Sequence, residues 1–523
     1  MQTTHSAAEL HMMVDAILYY EEGIYQLIET HVRYKPKTKR DLQIAVRQYI
    51  DPNPLNLYIY GSIELWDTSL ITDMSYLFMH LGTQTPDLLL HKLKINNWDV
   101  SNVTNMEYMF YGYDTFNKRI EDWDVSNVTT MCQMFSGCKR FNSPIDKWNV
   151  SKVTSMMMTF KECNSFNQPL NNWDVSQVTD MEQIFLECSS LNTPLDKWDV
   201  GKVTKMNYMF TDCTEFDQSL NNWNVSNVRM MNYMFRNCIS FNQPLNKWDF
   251  NAIDIDLMFC GCSSFNQSLN EWDVSKVICM SSMFRDCTSF NQPFDKWDVR
   301  QLESIEGMFS GCSRFNQPIN HWNLEKCRYA TRMFENCKAF NQPLNNWDVR
   351  NIIKMNEMFS GCSRFNQSLN SWEVRQVTTM NEMFLECVSF NQPLNNWVVG
   401  NVTNMEQMFK SCVSFNQSIN SWDVSRVITM EQMFDGCYIF DKPLKDWDVS
   451  QVTVMKQMFA WCLKFNQPLD NWDVSQVTDM KEMFSWCESF DRSIERWKIN
   501  SETIITRMFK EAPLVWQNVR STK

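Results

Sequence analysis

Four residue types recur in this chain at fixed spacing and could do chemistry: cysteine, methionine, aspartate and tryptophan. Nineteen cysteines are present, and fifteen of them, from Cys138 and Cys163 through Cys412 to Cys487, lie 24 or 25 residues apart. Thiols in such numbers could form disulfides, hold zinc or act as nucleophiles. No CxxC pair exists, and the Cys260–Cys262 spacing is too short for the usual zinc finger. Methionines such as Met106, Met131, Met181, Met405 and Met430 could in principle offer soft thioethers to copper. Aspartates follow the tryptophans (Asp99, Asp124, Asp174, Asp199, Asp249, Asp273, Asp298, Asp348, Asp423, Asp448 and Asp473) and could build calcium sites between turns, although the Gly-rich nonapeptide of calcium-binding rolls is absent. With six histidines and no nucleophile–base pair, nothing points to a catalytic, metal or cofactor centre, and the chain reads as no enzyme.

The positions of these residues come from a repeat. Tryptophans at Trp98, Trp123, Trp148 and Trp173 are 25 apart, one step of 24 leads from Trp248 to Trp272, and the 25-residue step then holds through Trp397 to Trp497. With Trp66 they make 18 in register. A representative unit runs from Trp397 to Ser421. Within it Met405, Met408, Phe409 and Cys412 stand at i, i+3, i+4 and i+7, which predicts one buried face of a short helix. Thr403 with Glu406, like Thr104 with Glu107 and Thr179 with Glu182, has the spacing of a capping box. The Phe-Asn-Gln-Pro/Ser-Leu-Asn stretch that follows (Phe390 to Asn395) reads as a short extended segment with Phe and Leu inward. Its frequent proline (Pro169, Pro244, Pro293, Pro393) limits ladder formation. Trp-Asp-Val-Ser reads as a turn or a second extended arm. No single unit can bury its apolar residues, so the units must stack.

Stacking gives each ladder a structural role beside its chemical one. Phe110, Phe135, Phe160 and Phe409 form a core aromatic column, Cys138, Cys163 and Cys412 a column of small buried thiols. Disulfides are disfavoured because packed helices would hold neighbouring columns too far apart. Trp98, Trp123 and Trp397 belong to a core or seam column, with an aromatic strip for sugars or a partner as the alternative. Asn-Gln pairs (Asn167-Gln168, Asn242-Gln243, Asn291-Gln292, Asn391-Gln392) read as an amide ladder, or as a polar strip facing a periodic polysaccharide. Asn-x-Ser/Thr sequons at Asn102, Asn266, Asn366 and Asn416 fall inside the motif. Variation is concentrated after the recurring phenylalanine, at Lys161-Glu162, Arg236-Asn237 and Ala460-Trp461. Lys161, Glu162, Arg236, Asn237 and Trp461 are therefore the candidate partner-binding face.

The repeat resembles the BspA-like leucine-rich repeats in their 25-residue form, Phe-Asn-Gln-Pro-Leu-Asn-x-Trp-Asp-Val-Ser-x-Val-Thr-x-Met-x-x-Met-Phe-x-x-Cys. The resemblance runs from about Thr38 to Phe509 and includes an entry segment, Thr38-Lys-Arg-Asp-Leu, Tyr60-Gly61-Ser-Ile63 and Trp66-Asp-Thr-Ser69. Such repeats are familiar from bacterial and mycoplasma surface proteins and from large DNA viruses of protists. The resemblance implies an α/β repeat solenoid, leucine-rich-repeat-like, of about 18 short strand-plus-helix units, and, as in some bacterial members, adhesion to host proteins or cells. It brings no catalytic motif.

Composition narrows the function further. Net charge is −13, from 61 acidic and 48 basic residues, with no basic face, so nucleic acid is not an expected partner. No apolar run reaches membrane-spanning length, and Met1 to Arg40 carries no signal-peptide pattern. Reduced thiols then favour the cytoplasm or a virion. Residues 1–62 read as a helical N-terminal cap. Its first stripe is Leu10, Val14, Ile17, Leu18, Ile24, Leu27 and Ile28, and a second helix runs from Thr38, with Asp41 three later, to about Tyr49. Residues 63–509 are the repeat solenoid, and 510–523 a C-terminal cap or tail in which Leu514, Val515 and Trp516 cover the last layer. The expected function is a non-enzymatic scaffold for a protein partner, in adhesion or host interaction. The alternatives are a self-associating structural component of a virus particle or surface layer, and a carbohydrate binder.

Overall fold

The computed structural model describes residues 33–50, 59–79, 81 and 93–513. The chain divides into two compact units, Met1–Asn227 and Val228–Lys523. The expected helix with the Leu10–Ile28 stripe and the Leu514–Trp516 cover lie outside the described residues.

In the first unit, helix α1 (Lys39–Tyr49) forms where the sequence predicts it. Thr38 caps it, its side chain accepting from the Asp41 backbone while the Asp41 carboxylate accepts from the Thr38 backbone N–H. That reciprocal box satisfies two donors a helix start leaves open. Leu42, Ala45 and Val46 are fully buried. The segment meets the first layer of the stack through Tyr34 and Tyr49, both edge-on to the Trp66 ring. Lys35 and Lys39 reach Asp67 and Asp73 at 2.7 and 3.0 Å.

Beyond α1 the repeats form stacked layers, and here the structure corrects the strand-plus-helix unit. Among the described residues no repeat from Leu93 onward contains a helix or a strand of more than one bridge. In the first unit parallel bridges join Asp73, Asn105, Thr130, Ser155, Asp180 and Lys205 in sequence; in the second they run from Asp254 through Asn404 to Ile504. The stretch expected to be helical is a run of turns. Met408 and Cys412 donate their N–H three residues back, to Met405 and Phe409. Met405, Gln407, Phe409 and Ser411 donate instead to Thr429, Glu431, Met433 and Asp435 of the following layer, at 2.6–3.2 Å. Gln407 and Ser411 hold left-handed φ of 53° and 59°. One left-handed residue in every four cannot propagate an α-helix. It does turn alternate N–H groups outward, where the next layer's carbonyls accept them.

The inward face survives this change. Two consecutive four-residue turns advance the chain as two helical turns would, so Met405, Met408, Phe409 and Cys412 are all fully buried. The core of each layer is completed by Trp397, Val399, Val402, Phe390 and Leu394, none more than 2% exposed. Burying side chains of this size contributes roughly 1.5–3 kcal/mol each, so stacking rather than local propensity holds the layer.

The expected capping boxes are absent from the repeats. Thr403 turns its hydroxyl to the Thr378 carbonyl of the preceding layer at 3.4 Å, while Asn404 accepts the Glu406 N–H at 2.8 Å. Thr104 and Thr179 behave alike, with Asn105 and Asp180 doing the local capping.

Candidate functional site

The ladders singled out in the sequence are occupied by structural work. Trp98, Trp123 and Trp397 are 2–3% exposed. Each donates its indole N–H to a carbonyl one layer back: Ile63, Ile95 and Leu369, at 2.9–3.0 Å. Trp397 stacks between Trp372 and Trp422 with centroids 6.4 and 6.2 Å away. No ring face in this column is open to a sugar. Phe110, Phe135 and Phe160 stack in turn at 5.6 and 5.7 Å, and Phe409 stacks on Phe384 at 5.6 Å.

All nineteen cysteines are free. Cys138, Cys163 and Cys412 each donate the thiol to the phenylalanine carbonyl of the layer before, at 3.2, 3.1 and 2.9 Å. Helix spacing cannot be the reason they stay unpaired, since no helices are there. Each of these thiols is instead engaged with a backbone carbonyl. Burial also pushes these thiols well above their ordinary range, so none is poised as a nucleophile.

The polar ladders are likewise internal. Asn391 Oδ1 accepts from the Asn416 N–H and from Gln417 Nε2, both at 3.0 Å. Asp99 Oδ1 accepts the Ser101 N–H at 3.0 Å and its hydroxyl at 2.6 Å. That is an Asx turn, the capping role open to an aspartate at this position.

One cluster went unseen in the sequence. Asp254, Asp256 and Cys279 bring their ligand atoms within 4.8 Å of one another, and among the described residues this is the one such group that could hold a metal ion. Its signal was the 24-residue step between Trp248 and Trp272. Its hydrogen bonds explain it without an ion. The bridge position usually carries Asn, Asp, Ser or Thr to cap the N–H two residues on, but Cys279 accepts poorly. Asp256 of the preceding layer takes the Ser281 N–H instead, at 2.5 Å, and accepts the Cys279 thiol at 3.2 Å. Burial and that bond push the Cys279 thiol up to about 11.

The candidate partner-binding residues sit on turns rather than on a helix face. Glu162, Asn237 and Trp461 occupy the same left-handed position in their layers, at φ 60°, 58° and 59°. Lys161 and Arg236 precede it. Lys161 pairs with Glu162 at 3.5 Å, both half-buried, and Arg236 lies 6.0 Å over the Tyr233 ring. Trp461 is 43% exposed and stacks on Trp486 at 4.5 Å and 6°. The sequence reading passed over Trp486. Eighteen of 21 tryptophans are in register, and the three left over include Trp461 and Trp486, themselves 25 apart. On the opposite bend, Glu325, Arg350, Asn351, Glu373, Arg375 and Gln376 line an open polar groove of about 370 Å³.

No helix among the described residues is long and apolar enough to cross a membrane. No curated protein matches the chain. Solved structures that resemble it include two repeat proteins. A leucine-rich repeat protein from Bacteroides ovatus is 13% identical with a TM-score of 0.29, over 77% of this chain and 85% of its own. A leucine rich cell surface protein from Faecalibacterium prausnitzii is 13% identical with a TM-score of 0.21, over 76% and 77%. Five successive segments, 86–184, 168–256, 250–347, 329–438 and 414–522, match the family described as "Mycoplasma protein of unknown function, DUF285". Together they run without a break from 86 to 522, and the chain belongs to this BspA-like repeat family.

Proposed function

We propose that this protein is a non-enzymatic binding scaffold whose variable turn columns engage a protein partner, in adhesion or host interaction. The supporting observation is the separation of fold from surface. Interior columns repeat the same residue from layer to layer, while the two residues before the buried cysteine change freely: Lys161-Glu162, Arg236-Asn237, Lys410-Ser411, Ala460-Trp461. Their backbone groups make the ladder whatever the side chain, so the residue type can vary to suit a partner. Cross-linking mass spectrometry in the native source tests this. Links from Lys161 and from lysines near Trp461 to one other protein support it; links confined to residues of this chain overturn it.

Self-association, as a structural component, has one observation in its favour. Ile505 is 44% exposed in the last described layer, whereas Met405, Met430 and Met480 at the same position are fully buried. An apolar side chain exposed in this way favours contact between copies. Light scattering that shows growth with concentration, abolished by Ile505→Lys, would establish this reading; a monomer at all concentrations removes it.

A further inference from the structure

Trp461 and Trp486 break the local rules of the fold. Their position in the layer is left-handed, with φ of 59° and 62°. Elsewhere in the second unit glycine, as at Gly261 and Gly436, or a polar residue, as at Asn336, Glu386 and Ser411, fills it. For a residue as bulky as tryptophan this conformation is an outlier; the interlayer bond holds it in place but does not account for the choice of tryptophan. The layers do not need a ring there, since Gly436 makes the same interlayer bond, donating to the Ala460 carbonyl at 2.8 Å as Trp461 donates to Ser485 at 2.8 Å.

The two rings are arranged as a platform. Their stacking at 4.5 Å and 6° fixes both planes, and Lys510 lies 5.9 Å over the Trp486 ring on the far side. On the near side the next residue in the column is Gly436, which has no side chain to cover Trp461. Ala460 and Ser485, the residues just before each tryptophan, are small and buried. Four residues before each position runs an ordered polar row. Gln432 Nε2 donates to Gln457 Oε1 at 2.6 Å, and Gln457 Nε2 to Glu482 Oε2 at 2.7 Å. Lys410 closes the row, donating to Gln432 Oε1 at 3.0 Å.

We propose that the Trp461–Trp486 platform is a saccharide-binding site, in which the C–H face of a sugar ring stacks on Trp461 and its hydroxyls reach the Gln432–Gln457–Glu482 row. An indole face beside repeated amide and carboxylate groups matches a ligand with one apolar face and a polar rim. A hydrophobic peptide side chain would cover the rings but offer no partner to the amide hydrogens and lone pairs that the row's internal bonds leave over. This site is separate from the register tryptophans, whose rings are closed, and it does not rest on the protein-partner reading.

The test is saturation-transfer NMR on the full chain with cellohexaose, N-acetylchitohexaose and a high-mannose oligosaccharide. Transfer to the ring C–H protons of at least one is expected. Trp461→Ala should abolish it and Trp486→Ala weaken binding about tenfold, through loss of the ring that backs the stack. Trp461→Phe should restore part of it. Retention of a cooperative thermal unfolding transition in each variant separates lost binding from lost folding. Absence of transfer to all three sugars, or full transfer in folded Trp461→Ala, overturns the proposal.

Discussion

The indole N–H of Trp397 donates to the carbonyl of Leu369, 28 residues back and one layer below, at 2.9 Å. The bond joins the two halves of adjacent repeats and closes a backbone acceptor that the core would otherwise leave dry. Trp397→Phe keeps most of the apolar surface but orphans that carbonyl. The expected cost is about 1–3 kcal/mol in denaturant unfolding, with hydrogen exchange accelerated in the layers on either side. Trp322 provides an internal contrast, because its Nε1 finds no partner while His321 Nε2 lies 3.2 Å from the Phe294 carbonyl. Trp322→Phe should cost less than Trp397→Phe.

Gln407 distinguishes the turn ladder from a helix by the sign of one substitution. In a helix, Gln407→Gly would destabilise by about 1 kcal/mol. At its φ of 53° glycine instead relieves the left-handed penalty, and a gain of about 0.5–1 kcal/mol is expected. A loss in urea denaturation would contradict the turn assignment.

Asn391 lends its side-chain oxygen to two donors of the next layer, and the chain carries its own control. Asp441 holds the same position and accepts from Asn466 N–H and Gln467 Nε2 at 3.0 and 2.7 Å. Asn391→Asp should therefore be close to neutral, while Asn391→Ala strands the Asn416 N–H and costs about 1–3 kcal/mol. Equal effects of the two substitutions would remove the amide ladder from the account of stability.

Thiol accessibility should sort the cysteines by burial. In the native protein, Cys132, only partly buried, is expected to alkylate ahead of the fully buried column, and Cys279 slowly because its thiol is pushed up to about 11. Under denaturing conditions without reductant all nineteen should react. Cysteines that remain blocked after denaturation would show disulfides where the structure has free thiols.

Asp435 sets a pH dependence. Burial raises its carboxyl from 3.8 to about 6, against the opposing pull of Lys410 at 3.8 Å and with Glu482 adding to the rise. The native state thus holds this proton more tightly than the unfolded chain. Its contribution to stability is fully present below about pH 4 and is lost as pH climbs through about 6. Asp435→Asn should flatten the slope between pH 4 and pH 6 and raise the melting temperature at pH 7. An unchanged slope in the variant would assign the dependence to other groups.

The sequence by itself determined which residues face inward. Periodicity of Trp, Met, Phe and Cys is a statement about layers, and stacking a 25-residue unit on itself places like on like whatever the local backbone does. It also placed α1 and its Thr38–Asp41 box, because capping is a bargain struck within four residues. The conformation of Met405 to Cys412 was decided only by the tertiary structure. The i, i+3, i+4, i+7 spacing suits a helix and a pair of four-residue turns equally, and local preference favours the helix. What tips the balance is the row of carbonyls from Thr429 to Asp435, one layer on, which accepts alternate N–H groups and makes left-handed residues at Gln407 and Ser411 worth their strain. The Trp461–Trp486 pair was in plain view as two tryptophans out of register. Their contact and exposure depend on a neighbour 25 residues distant, which no local window of sequence contains.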